Sequence, residues 1–335
     1  MKIELTSPIL KNVEKLKNIK PSMAYSPHKD IWEQQMELRK KYRELLGITD
    51  ERKTPPPVIE YKDESDERFD EIRFYVETEP GFFVPCHMLI PKNTKGKLPV
   101  CVCLQGHSEG MNVSLGREAY PGKGKIKVEG DRDFCIQAVN NGYIAVAMEQ
   151  RGFGELKFTK EEFGCHELSW QAALMGRTLA GDRVHDILSV IDAVITFPFA
   201  DEKRIAAMGN SGGGTSSYYA ACIDERIKVT ISSSSFCGFA EAWGSLYHCD
   251  CGYIPGILKY MDMPDMAVMI APRPLIVVNG KYDHIQPFAS AVEGFEKVKQ
   301  IYAHAGSSEN ARMVIGEEGH RFYGAQSWKV FNEII

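Results

Sequence analysis

The five residues Gly209-Asn210-Ser211-Gly212-Gly213 constrain this chain more than any other stretch. They stand between Arg204-Ile205-Ala206-Ala207-Met208, which reads as a short buried strand, and a run of small and aromatic residues from 215 to 222 that reads as a helix. Glycines on both sides of a serine permit a turn tight enough to leave the hydroxyl exposed at the carboxyl edge of a sheet. Gly212, Gly213 and Gly214 each cost a helix start roughly 1 kcal/mol relative to alanine. Close approach of this backbone to a strand or to a substrate would repay that cost.

A serine hydroxyl is a poor nucleophile at neutral pH, so it needs a base within hydrogen-bond reach and an anion to orient that base. Pro274-Leu275-Ile276-Val277-Val278 reads as a fully buried strand, and the loop leaving it ends in Asp283. Ala311-Arg312-Met313-Val314-Ile315 reads as another, and its loop, Gly316-Glu317-Glu318-Gly319, leads to His320. Ser211, Asp283 and His320 are therefore the candidate nucleophile, acid and base. Nine histidines compete for the last role. His284, beside Asp283, is the second choice; His28, His87, His185 and His304 lie in the N-terminal arm, an early strand and two helices, and none leaves a late strand.

Acyl transfer also needs two backbone N–H groups aimed at the developing oxyanion. Gly212, the residue after the serine, is one candidate. Pro99-Val100-Cys101-Val102-Cys103-Leu104 reads as a strand running into Gln105-Gly106-His107-Ser108, and the amide of His107 is the other. Only that amide is required, so the imidazole carries no assigned role.

At these residues the chain resembles the α/β-hydrolase superfamily, in the branch of dienelactone-hydrolase-like proteins and acetyl xylan esterases or cephalosporin deacetylases. The resemblance runs from about Tyr61 to the C-terminus. It rests on Gln105-Gly106-His107, Glu149-Gln150-Arg151-Gly152-Phe153-Gly154, Gly181-Asp182-Arg183-Val184-His185-Asp186, the Ser211 turn, Ala271-Pro272-Arg273-Pro274, Asp283 and His320. It implies a mostly parallel sheet with helices on both faces and serine-dependent hydrolysis of a carboxylic ester, an acetylated carbohydrate or other small acetyl ester first among them. Two departures bear on the substrate. Position 211 is serine where dienelactone hydrolases use cysteine, and Glu149-Gln150-Arg151-Gly152 stands where acetyl xylan esterases usually have Asp-x-Arg-Gly. A feruloyl or glucuronoyl esterase with a larger pocket, a peptidase of the prolyl-oligopeptidase type and a noncatalytic binding protein on the same fold are the alternatives. The peptidase is disfavoured because the 57 residues in front are too few for a propeller.

Along the chain the pattern is an arm, a sheet built in order and one insertion. Residues 1–57 hold a helix from 30 to 46 and end in Pro55-Pro56-Pro57, a stiff connector; residues 58–335 form the catalytic domain. The arm could close the pocket or join a second subunit in a homo-oligomer. Two early strands, 69–77 and 82–90, precede the parallel series, and alternation of strands with helices argues for a sheet covered on both faces. Asp182 to Phe197 is the clearest helix, with Val184, Ile187, Leu188, Ile191, Val194 and Ile195 on one side. The irregular stretches 155–181 and 236–262 follow strands on the edge where Ser211 emerges. Phe153, Trp170, Trp243 and Tyr247 are accordingly candidate pocket residues.

Composition excludes other classes. A net charge of -5 with no basic run interleaved with aromatics gives no footprint for nucleic acid. The longest apolar stretches are strand-sized, which gives no membrane span, and the first residues lack the apolar core of a signal peptide, which points to the cytoplasm. Pro121-Gly122-Lys123-Gly124-Lys125 lacks phosphate-loop spacing and reads as a flexible loop, and no Gly-x-Gly-x-x-Gly follows a strand. No cofactor is expected. Nine scattered cysteines suit reduced thiols. His248-Cys249-Asp250-Cys251 could hold a metal through thiolate and imidazole, but the nearby sequence offers no matching second pair, so it reads as a packed or surface loop without metal.

Overall fold

The structure is a computed structural model that describes residues 6–48, 54–61, 67–118, 124, 126–157 and 164–334. Of the loop read at 121–125, all but Gly124 lies outside the described residues. Among the described residues nine strands make one sheet: β1 (Val58–Tyr61), β2 (Phe69–Glu79), β3 (Phe82–Pro91), β4 (Leu98–Leu104), β5 (Ile144–Met148), β6 (Ala200–Asn210), β7 (Ile227–Ser233), β8 (Leu275–Gly280) and β9 (Ala311–Gly316). Their order is β1-β2-β3-β5-β4-β6-β7-β8-β9. The first four in that order pair antiparallel, and β5, β4, β6, β7, β8 and β9 run parallel.

The helices are α1 (Pro8–Lys17), α2 (Ile31–Leu46), α3 (Phe134–Asn140), α4 (Cys165–Leu174), α5 (Leu179–Val194), α6 (Gly212–Ile223), α7 (Phe288–His304) and α8 (Gly324–Ile334). They cover both faces, as strand periodicity requires. On β4, Val100, Val102 and Leu104 join the core under α2, α5, α6 and α7, while Cys101 and Cys103 point the other way, into the core under α3 and α8. Both cysteines thus share one buried face, as their alternation with valine predicts.

The sheet is not built in sequence order, contrary to expectation. The chain leaves β4, crosses one face through α3 to β5, then returns across the other face through α5 to β6, so β5 lies outside β4. Crossovers of one hand force this: moving outward and then back puts successive helices on opposite faces. The connections from β4 and β6 therefore diverge, and a crevice opens at the carboxyl ends of these neighbours.

Two boundaries shift for local reasons. The helix expected from Asp182 begins at Leu179, because the Thr178 hydroxyl accepts a hydrogen bond from the Gly181 amide at 2.9 Å and caps it. The stretch 155–181, read as irregular, contains α4.

The arm is less separate than its sequence suggests. Asp30 caps α2 by accepting from the amides of Trp32 and Glu33, and Ile31, Leu38, Tyr42 and Leu46 of α2 are buried in the same core as the central strands. Arg39 donates to the carbonyls of Cys222 and Met269, and Gln35 to those of Val268 and Ala271. The segment before α2 is strapped down as well, through Ser22 and Met23 amides on the Lys259 and Tyr260 carbonyls. Among the described residues no helix is long and apolar enough to cross a membrane.

Candidate active site

Ser211 follows the last residue of β6 with φ 57° and ψ -126°, a conformation that a residue with a side chain adopts only under constraint. The constraint is visible. Its amide donates to the Ser233 carbonyl of β7 at 2.8 Å, and the backbone on either side is pressed against β4. A Cβ at Gly213 would fall on the Leu104 carbonyl, and one at Gly209 would approach that oxygen to 2.6 Å. Close packing of backbone on backbone repays the helix cost of Gly213. Gly212 differs, because a Cβ there would meet the His107 ring at 3.5 Å and the Gly106 Cα at 3.7 Å, both ordinary contacts.

The loop after β4 lies against this turn, as a Cβ at Gly106 would stand 2.7 Å from the Asn210 carbonyl and 3.3 Å from the Gly212 nitrogen. The amides of Gly212 and His107 are therefore on neighbouring segments. Gln150, at the end of β5, joins them from below: its side-chain amide donates to the Gln105 carbonyl, and its oxygen accepts from Ser216 of α6 at 2.7 Å.

Asp283 and His320 come together from the loops after β8 and β9. The His320 Nδ1 lies 2.8 and 3.0 Å from the two carboxylate oxygens. Oδ1 also accepts from the amides of Ile285 and Gln286, each at 2.9 Å. Burial works to raise the Asp283 carboxyl, but His320 and these two amides outweigh it and hold it below the ordinary carboxylate range. Ser211 and His320 line one cavity of about 810 Å³. Among the described residues no hydrogen bond joins the hydroxyl to the ring across that cavity, and such contacts commonly tighten only around a bound substrate. His284, the second choice for the base, is exposed and meets His320 only edge to face, 6.2 Å between ring centres.

Trp170, Trp243 and Tyr247 line the same cavity, together with His166, Tyr219 and Gln286. Trp170 and Tyr247 are 57% and 96% exposed, so both stand at its rim. Phe153 does not line it, which corrects the sequence expectation. It is wholly buried, edge-on to the His107 ring at 4.9 Å and under the Arg183 guanidinium at 4.3 Å. An aromatic next to a strand end looks like a pocket wall in sequence; here the turn at Gly152 carries it inward, behind the wall.

Arg151, Asp186 and Glu149, which also belong to the motifs carrying the family resemblance, are buried and do not line the cavity. Arg151 makes a two-pronged pair with Asp186 of α5, at 2.7 and 2.8 Å, and reaches Glu79 of β2. Glu149 is buried and accepts from the amides of Met111 and Glu155. Burial pushes its carboxyl up to about 7.

The cysteine cluster is resolved differently from its sequence reading. His248 leaves it, stacking on Trp243 and contacting Gln286. The Asp250 carboxylate meets His166. Cys249 and Cys251 instead join Cys165 at the start of α4 and the imidazole of His107, and the four ligand atoms lie within 4.8 Å of one another. The second half of the set, absent from the neighbouring sequence, is supplied by two distant segments.

Comparison with known proteins agrees with this architecture. A family model described as the Abhydrolase family matches residues 6–242, arm included. A Bacillus subtilis (strain 168) protein named "Putative hydrolase YtaP" is 28% identical over 254 residues, 73% of this chain and 78% of that protein. The solved structure of a "putative acetyl xylan esterase" from Bacteroides fragilis NCTC 9343 superposes with a TM-score of 0.80 at 19% identity, covering 93% of this chain and 82% of that one. Acetyl xylan esterase 1 from Thermoanaerobacterium sp. JW/SL YS485 gives a TM-score of 0.61 at 16% identity, with 96% and 98% covered. These likenesses establish the α/β-hydrolase fold. With the family model matched over well more than half the chain, Ser211 and the His107 loop within the span, this protein belongs to the Abhydrolase family.

Proposed function

We propose that this protein hydrolyses carboxylic esters by serine acyl transfer, with acetylated carbohydrates as its substrate class. The observation that carries the reading is the strained, glycine-flanked Ser211 sharing a cavity with the Asp283–His320 pair. Ser211 Oγ attacks the ester carbonyl while His320 takes its proton and Asp283 offsets the imidazolium charge. The amides of Gly212 and His107 hold the oxyanion. His320 then protonates the departing alcohol, and water, deprotonated by the same base, releases the acid and regenerates the serine.

Two features support the carbohydrate. Trp170 and Tyr247 offer exposed rings at the rim, suited to the apolar faces of sugar rings, and the polar groups of His166 and Asp250 line the same cavity. The chain is also similar to structures titled as acetyl xylan esterases.

Turnover of p-nitrophenyl acetate and of acetylated xylo-oligosaccharides tests the proposal. Ser211→Ala is expected to lower kcat by at least about 10³-fold with the fold intact by circular dichroism. Retained turnover would refute the mechanism. Activity on aryl acetate without any on the acetylated sugar would refute the substrate class alone.

A further inference from the structure

We infer that His107, Cys165, Cys249 and Cys251 form a zinc site that staples the wall of the catalytic cavity. The site shares only His107 with the esterase reading, through its imidazole rather than the amide assigned to the oxyanion, and zinc content is read without any esterase activity.

The geometry fits a tetrahedral ion. With Zn–S near 2.3 Å and Zn–N near 2.0–2.1 Å, ligand atoms in a Cys₃His site are separated by about 3.6–3.8 Å. His107 Nε2 lies 3.6 Å from Cys251 Sγ and 3.9 Å from Cys165 Sγ, and all four ligand atoms fall within 4.8 Å of each other. Three sulfurs and an imidazole are the soft donor set that selects zinc over magnesium or calcium. Four protein ligands leave no open position, so the ion would be structural.

The surroundings supply a second, separate argument. Arg183 is buried, and among the described residues it makes no ion pair with a carboxylate; it donates to the Arg151 carbonyl and, at 3.2 Å, to Cys165 Sγ. A buried guanidinium needs a compensating negative charge. Zinc with three thiolates carries a net charge of about -1, which the single charge of Arg183 neutralises. Without a cation, three crowded sulfurs cannot all ionise.

The ligands come from three places: the loop after β4, the N-terminus of α4, and the turn around Asp250 in the long excursion after β7. Each segment contributes residues to the cavity. Zinc would pin the two insertions to the floor and fix the His107 ring, which rests beside Gly212.

Metal analysis of the intact protein, expressed with zinc supplementation and purified without chelator, tests this. About one zinc per chain is expected, with Ser211→Ala unchanged and both Cys165→Ser and Cys251→Ser reduced to below about a tenth of that content. Replacement by cobalt(II) should give visible bands of a tetrahedral ion and thiolate-to-metal charge transfer, which need no enzyme activity to read. Because a buried variant can fail to fold, half-buried Cys249→Ser provides the check: soluble, folded protein with weakened cobalt absorption. Wild-type protein that takes up neither metal under reducing conditions would overturn the site. So would a disulfide between any two of these cysteines in freshly prepared protein.

Discussion

The Asp283 carboxylate engages His320 Nδ1 through both oxygens while its Oδ1 is also held by two backbone amides. The amides fix which oxygen stays an acceptor. In Asp283→Asn the amide oxygen must therefore keep the Oδ1 place, turning NH₂ toward His320 Nδ1 and imposing the tautomer with hydrogen on Nε2, the wrong one for a base. Ester turnover should fall by roughly 10⁴-fold, and some stability near neutral pH should be lost with the charge, measured by steady-state kinetics and urea unfolding. Because the native carboxyl lies below its ordinary range, its contribution to stability is full above the unfolded value and is lost as pH falls through the folded one.

Gly212 and Gly213 are adjacent in sequence but not equivalent in space. Gly213→Ala drives a methyl into the Leu104 carbonyl, and a loss of about 3 kcal/mol or more is expected. Gly212→Ala meets the His107 ring and the Gly106 Cα at ordinary contact distances and should stay within about 1 kcal/mol of the parent. Thermal unfolding of both proteins gives the comparison.

Glu149 makes the fold weaker as pH rises. Its carboxyl is raised from 4.5 to about 7 by burial, so between these values the folded state holds a proton that the unfolded state has lost. Stability then declines across that window and levels off above it, by on the order of 3 kcal/mol at full effect, from about 1.4 kcal/mol per tenfold change in proton affinity. Glu149→Gln should remove this slope. Urea unfolding at about pH 5 and about pH 8 measures it.

The arm helix carries a contrasting pair. Tyr42 is fully buried and meets Tyr219 edge-on, and its hydroxyl has no hydrogen-bond partner among the described residues. Tyr42→Phe should leave stability unchanged or raise it by up to about 1 kcal/mol. Leu38→Ala, one turn away in the same core, should cost about 2–5 kcal/mol. Denaturant midpoints of the two variants decide the matter.

What was legible in the sequence follows from where information is local. Ser211, Asp283 and His320 each stand in a loop directly after an apolar strand, and parallel strands deliver such loops to one edge; their placement could be read because each depends on its own neighbourhood plus one general rule. Sheet order was not readable, since nothing near β5 says on which side of β4 it will lie. Phe153 was misplaced because the direction of a side chain at a strand end depends on the φ of 86° at Gly152. The Cys₃His cluster escaped for the strongest reason: His107 and Cys251 are 144 positions apart and meet only when three loops fold together. One signal existed, Cys-x-Cys beside a single cysteine opening an apparently irregular insertion.

The arm illustrates how position along a chain and position in time can part company. α2 precedes every strand of the sheet in the chain, yet its partners at Tyr219, Cys222, Val268, Met269 and Ala271 lie far downstream, after most of the strands. With so much chain between them, this helix cannot dock until most of the sheet has been made. Its apolar stripe therefore stays uncovered while most of the sheet is being made, a surface of the kind that exposes a nascent chain to misassembly.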